Sequence, residues 1–209
     1  MRKLLIVLLL LVVTAVAGDF LLRLYAEERA GAAVQSSLAL DVEPDVSLGG
    51  FPFLTSALRG RFDSVGISVD EVTARGVTIE DVDASFSDVR FELDDLLAGS
   101  VGNPRTGGGS GTAALTGGAL TAIAREQGLD ARIRISGGRV TLDGGGLSEE
   151  GDVSLDGNEL TVTTTSRTAD FTFAIPVVVE GVTYRSVDVE GATLVLRFSV
   201  EAGTLRGPR

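Results

Sequence analysis

The sequence predicts an α+β fold built on one curved antiparallel sheet with two or three helices. Three observations carry this. Apolar and polar residues alternate with period two over most of the chain, the mark of half-buried strands. Within residues 65–93 the alternation changes parity repeatedly, and each change requires a turn or a bulge that bends a sheet. Two shorter stretches keep helical spacing and end on glycine stop signals. A chain of 209 residues is long enough to bury a core in one domain without metal or disulfide.

The elements follow in order. Arg2 and Lys3 precede an unbroken apolar run over 4–13, extended through Thr14, Ala15, Val16 and Ala17 to Gly18-Asp19. A basic start, an apolar stretch and a small-residue Ala15-Val16-Ala17 site make residues 1–17 a signal peptide or an N-terminal membrane anchor. The anchor reading continues through Phe20, Leu21, Leu22 and Leu24 and places Asp19 near the membrane boundary. Both readings export the chain.

Residues 19–40 predict an amphipathic helix, with Phe20, Leu21, Leu24, Gly31 and Val34 on one side and Arg23, Glu27 and Glu28 on the other. Pro44 marks a break, around which Val42, Val46 and Leu48 alternate as a short strand. Gly49-Gly50 introduces the segment GFPFLTSALRGRF. Pro52 suits the start of a short helix carrying Phe53, Leu54, Ala57 and Leu58, and Gly60 stops it. Strands follow, with parity slips at 70–71, 75–76, 80–81 and 87–88, the one at Gly76 a true turn.

Residues 99–111, rich in glycine, read as a flexible loop. They lack the Lys-Ser/Thr of a phosphate-binding loop. Thr116 opens a helix carrying Leu120, Ile123 and Ala124, stopped at Gly128. The remainder reads as sheet, with hairpin signals at Asp143-Gly144 and Asp156-Gly157. Strands are expected at Ile133/Ile135, at Val140/Leu142, from Phe171 through Ile175 to Val179, and over Leu194, Leu196, Phe198 and Val200. Residues 18–202 thus form one domain and 203–209 a tail.

Composition removes most catalytic chemistry. The chain has no histidine and no cysteine, and Lys3 is its single lysine. No triad, histidine base, thiol nucleophile, disulfide framework or Schiff-base lysine is available, and no metal or cofactor site is expected. Serines lack a partner base. The segment DGGGLSEEGDVSLDGNE fits hairpin turns better than calcium-binding spacing. Nothing singles out a carboxylate pair for glycoside hydrolysis. The net charge of −11, with no basic cluster along the chain, argues against nucleic acid and against long-range attraction to anionic lipid. What stands out is aromatic material without a catalytic group. Eight of the nine phenylalanines lie on expected sheet or within 51–62, and a curved sheet wrapped on a helix offers them a concave side for an acyl chain.

The run Gly50-Phe51-Pro52-Phe53-Leu54-Thr55, continued by Leu58, Gly60 and Phe62, resembles the opening motif of the LmeA-type phospholipid-binding proteins of the actinobacterial cell envelope. The Ala26-Glu27-Glu28-Arg29-Ala30 helix and the closing run Tyr184-Arg185-Ser186-Val187-Asp188-Val189-Glu190-Gly191 are similar to that family too. Ile175-Pro176-Val177 stands where the family usually has a Pro-Phe-Gly run. The resemblance implies a half-tube like the tubular lipid-binding superfamily, a long bent sheet wrapped around a helix. It implies a non-catalytic extracytoplasmic protein that binds phospholipid, including phosphoinositide-type lipids, at the membrane and supports lipoglycan maintenance. On that reading Phe51, Phe53, Leu54, Leu58 and Phe62 form one wall or the mouth of an apolar groove. The competing expectation is a scaffolding envelope module with a protein partner and a filled core.

Overall fold

The structure, a computed structural model, describes residues 2–38, 40–74, 77–91, 103–128, 130–144, 147–164, 170–175 and 181–204. The expected turn at Gly76, Leu93, residues 99–102, the strand continuation over 176–179 and the end of the tail lie outside the described residues.

The fold is α+β, with a large antiparallel sheet that does not close into a barrel. Helix α1 (Arg2–Leu38) leads into β1 (Asp45–Gly49), α2 (Phe53–Arg59), β2 (Arg61–Ala74) and β3 (Val77–Arg90). Then come β4 (Arg105–Thr106), β5 (Gly108–Thr116) and α3 (Gly117–Glu126). Strands β6 (Arg132–Ser136), β7 (Arg139–Gly144), β8 (Leu147–Asp156), β9 (Glu159–Thr164) and β10 (Asp170–Ala174) follow. The chain returns through β11 (Val182–Glu190), β12 (Thr193–Val200) and β13 (Gly203–Thr204). The strands divide into two sheets. The larger runs β1-β2-β3-β5-β12-β11, with β4 against β3 and β13 against β4; the smaller runs β10-β9-β8-β7-β6.

Helix α3 holds the two sheets together. The Thr116 side chain caps it by accepting the Ala119 N–H at 3.2 Å. Buried Thr121 accepts the Ile133 N–H at 2.8 Å, tying the helix to β6. Gly117 permits this approach, because a Cβ there would stand 2.7 Å from the Ile133 carbonyl oxygen. Gln127 clasps Ala174 of β10 through both its amide oxygen and its amide nitrogen. Leu120, Ile123 and Ala124 are buried among Leu115, Leu142, Leu160, Leu194 and Phe173. Each such leucine contributes about 1.5–3 kcal/mol of burial.

A second, smaller core lies at the other end of the large sheet. Leu48, Phe53, Phe62, Val65 and Val89 form it, with Ala26 of α1 against its edge.

The parity changes within β2 and β3 are paired. The ladder joins Val69 to Val82 and Glu71 to Glu80 but makes no bridge at Asp70 and Asp81; the same gap recurs at Asp63 and Asp88. Asp81 and Asp88 have φ of 46° and 48°, a left-handed conformation that aspartate tolerates better than most residues. Both strands change face together, so their apolar side chains stay on one side while the ladder bends.

Three expectations are corrected. The apolar segment and the following helix are one continuous helix of 37 residues. Gly18 costs about 1 kcal/mol of helix propensity, and flanking strong helix formers outweigh it. Within that helix Phe20, Leu21 and Leu24 are exposed, whereas Arg23, Glu27 and Gly31 turn toward the domain. The Gly-rich stretch expected as a flexible loop to residue 111 supplies β4 and the start of β5, a central strand of the large sheet.

Candidate functional site

The residues expected to line a groove separate into two groups. Phe53 and Phe62 are buried, their ring centroids 5.9 Å apart, and the Phe91 ring meets Phe62 edge-on at 5.9 Å. Phe51, Leu54 and Leu58 are 75%, 50% and 71% exposed on the outer side of α2. Leu54 and Leu58, four apart, share one face of α2, and Phe51 precedes its first turn. The Asp19 carboxylate ties α2 to α1 by accepting the N–H groups of Phe53 and Leu54 at 2.8 Å each. Eight residues on, Glu27 accepts the Leu48 N–H at 2.8 Å and pairs with Arg23. The polar side of α1 therefore serves as the attachment, and its apolar side is left facing out.

An apolar strip crosses the large sheet. Directly paired residues share a face. One row reads Val46, Ile67, Ala84, Gly111, Phe198, Tyr184; the next reads Leu48, Val65, Phe86, Gly109, Val200, Val182. The strip crosses six strands, about 24 Å at the usual strand spacing. It begins at the small core, ends beside the large one, and has half-buried residues in between. Ala84, Phe198 and Val182 belong to neither core. The two glycines are occupied sites: a Cβ on Gly109 would meet the Phe86 ring at 2.7 Å. One on Gly111 would meet both the Phe198 ring and the Asp83 carbonyl. Rings thus lie over the backbone of β5. Burial pushes the Tyr184 phenol above its usual range, consistent with an apolar setting.

The opposite face is polar. A concavity of about 520 Å³ is lined by Ser47, Ser68, Asp83, Ser85, Ser110 and Thr112 of this face and also by Ile67, Ala84 and Gly111 of the strip. Farther along the sheet, at its β4 end, a second concavity of about 310 Å³ gathers Arg59, Arg61, Arg90 and Arg105 with Gly60, Phe91 and Asn103. The absence of a basic cluster holds along the chain and fails in space. Strand pairing juxtaposes Arg61, Arg90 and Arg105, which are far apart in sequence. Among the described residues no group of three or more acidic side chains lies together to hold a metal ion.

The site therefore combines a bent open sheet, an apolar strip between two cores and an outward apolar helix face. The chain belongs to the LmeA-like phospholipid-binding family, whose profile matches residues 17–206. No curated protein and no solved structure matches it. α1 is long and apolar enough to cross a membrane and equally fits a signal peptide.

Proposed function

We propose that this protein is a non-catalytic, extracytoplasmic phospholipid-binding protein that holds acyl chains against the apolar strip and supports cell-envelope lipid and lipoglycan maintenance. The observation that carries this is the strip itself. Its length of about 24 Å exceeds the ~15 Å that one leaflet contributes to a 30 Å hydrocarbon core. Phe53 and Phe62 close the end of the strip, and Phe51, Leu54 and Leu58 form its mouth at the membrane.

Depth arithmetic supports that placement. Residues 4–22 contain one charge, Asp19, and span about 28 Å as a helix. That matches a bilayer core only with Asp19 at its boundary, and there its carboxylate already accepts two amide protons of α2. α2 then lies at the same level, with its apolar face toward lipid. Arg2 and Lys3 keep the N-terminus cytoplasmic and send the domain outside.

The test uses the full chain in phosphatidylcholine vesicles with a photoreactive group at the acyl terminus. Crosslinks are expected on Ile67, Phe86, Phe198 and Tyr184. Crosslinks confined to α1 would sink the groove and favour a scaffolding module with a protein partner.

A further inference from the structure

The small arginine-lined concavity has no role in holding acyl chains. It is also costly as it stands. Arg61 is the direct ladder partner of Arg90, and Arg90 of Arg105. Like charges directly opposed on a sheet destabilise it. Among the described residues, Asp88 is the acidic side chain that answers this row. Its carboxylate takes Arg61 at 2.7 Å and Arg90 at 2.9 Å. Arg59 and Arg105 have no ion-pair partner among the described residues. Among the described residues, four guanidiniums stand against one carboxylate, a local excess of three positive charges in a chain of net −11.

We propose that this concavity is a phosphate-binding site for an anionic phosphate group whose charge no attached ammonium cancels. Guanidiniums present forked donors that match phosphate oxygens two at a time. The location fits a lipid-borne phosphate. Phe91 lines the concavity and also packs on Phe62 in the small core, so one residue joins the cationic side to the apolar one. The Gly60 carbonyl accepts the Phe91 N–H at 2.8 Å and fixes that wall. Gly60 has φ of 61°, and a Cβ on it would crowd the Phe91 carbonyl at 2.7 Å. The assignment rests on the phospholipid reading and adds the head-group class to it.

Arg59→Gln with Arg105→Gln tests it in the full chain, because neither residue holds an observed ion pair. Uptake of pyrene-labelled phosphatidylglycerol and of pyrene-labelled phosphatidylcholine from vesicles is compared. The double variant is expected to lose about tenfold in phosphatidylglycerol affinity, as removal of charge-assisted bonds to a phosphate implies. Phosphatidylcholine uptake is expected to stay unchanged. The melting temperature of the lipid-free variant should hold or rise, since a repulsive row has been thinned. A structural role would lower it instead. Inorganic phosphate, added alone, should raise the melting temperature of the parent chain and not of the variant. If phosphate stabilises while phosphatidylglycerol uptake ignores the substitutions, the site is real and its ligand is a soluble phosphate. If the parent takes up neither lipid yet responds to phosphate, the phospholipid reading fails and this site survives. Indifference to both phosphate and the substitutions would overturn the proposal, as would equal loss of both lipids with a lower melting temperature.

Discussion

Asp88 combines a left-handed backbone with two arginine partners, and the two features are separable. The hydrogen bond from Arg90 is the main influence holding its carboxyl below the usual carboxylate range; desolvation opposes it, and the charges of Arg61 and Arg90 add to it. The lowered folded value makes the ionised form a source of stability above about pH 4, the ordinary aspartate value. In acid the unfolded chain takes up its proton first. The contribution therefore fades as pH falls from about 4 through the lower folded value. Asp88→Asn keeps a residue suited to φ 48° while removing the charge. Its melting temperature should fall less steeply than the parent's over that acid window, and at neutral pH it should bind phosphatidylglycerol more tightly. Parallel acid profiles would show that Asp88 contributes nothing through its charge. No local sequence pattern discloses this arrangement, because Arg61 and Arg105 reach Asp88 and Arg90 only through strand pairing.

At the level of elements, β5 shows why a strand can escape a sequence reading. Glycine is depleted in strands because it adds flexibility and packs nothing. Here Gly109 and Gly111 sit where the rings of Phe86 and Phe198 fold over the backbone, so absent side chains are the fit. The cue was present in the aromatic partners and not in the glycines. Gly111→Val should cost about 1–3 kcal/mol through overpacking and should lower acyl crosslinking at Phe198. Gly203→Ala, where a Cβ meets nothing within 4 Å, serves as the neutral comparison. A Gly111→Val protein as stable as that control would show that Phe198 gives way freely. The slips at 70–71, 80–81 and 87–88 were legible because each reverses an apolar pattern that one face must keep, whereas the one at Asp63 was not. The helix at Phe53–Arg59 was legible from Pro52 and Gly60, which now cap its two ends.

For the molecule as a whole, sheet and helix content followed from periodicity, whereas the division into two sheets depended on pairings across long separations that no local pattern encodes. The five residues proposed for the wall or mouth of a groove stand in one short segment, residues 51–62. Their division into buried Phe53 and Phe62 and exposed Phe51, Leu54 and Leu58 was not legible there, because burial of α2 depends on where α1 attaches. That attachment is testable. Asp19→Ala removes the acceptor for two otherwise unpaired helix-start amides, a loss of about 0.5–2 kcal/mol by analogy with helix caps. Hydrogen exchange at Phe53 and Leu54 should accelerate while exchange at Leu120 stays slow. Unchanged exchange at those two amides would mean that α2 holds its place without α1.

The same contact bears on proteolysis. A cut after Ala17 would create a new α-ammonium on Gly18, adjacent to the Asp19 carboxylate. That ammonium competes for the oxygens now given to α2, so removal of the leader would also loosen the segment that follows Pro52. Retained and released forms of this protein would then differ in more than attachment: each would present the exposed Phe51, Leu54 and Leu58 with its own degree of order, set by one peptide bond.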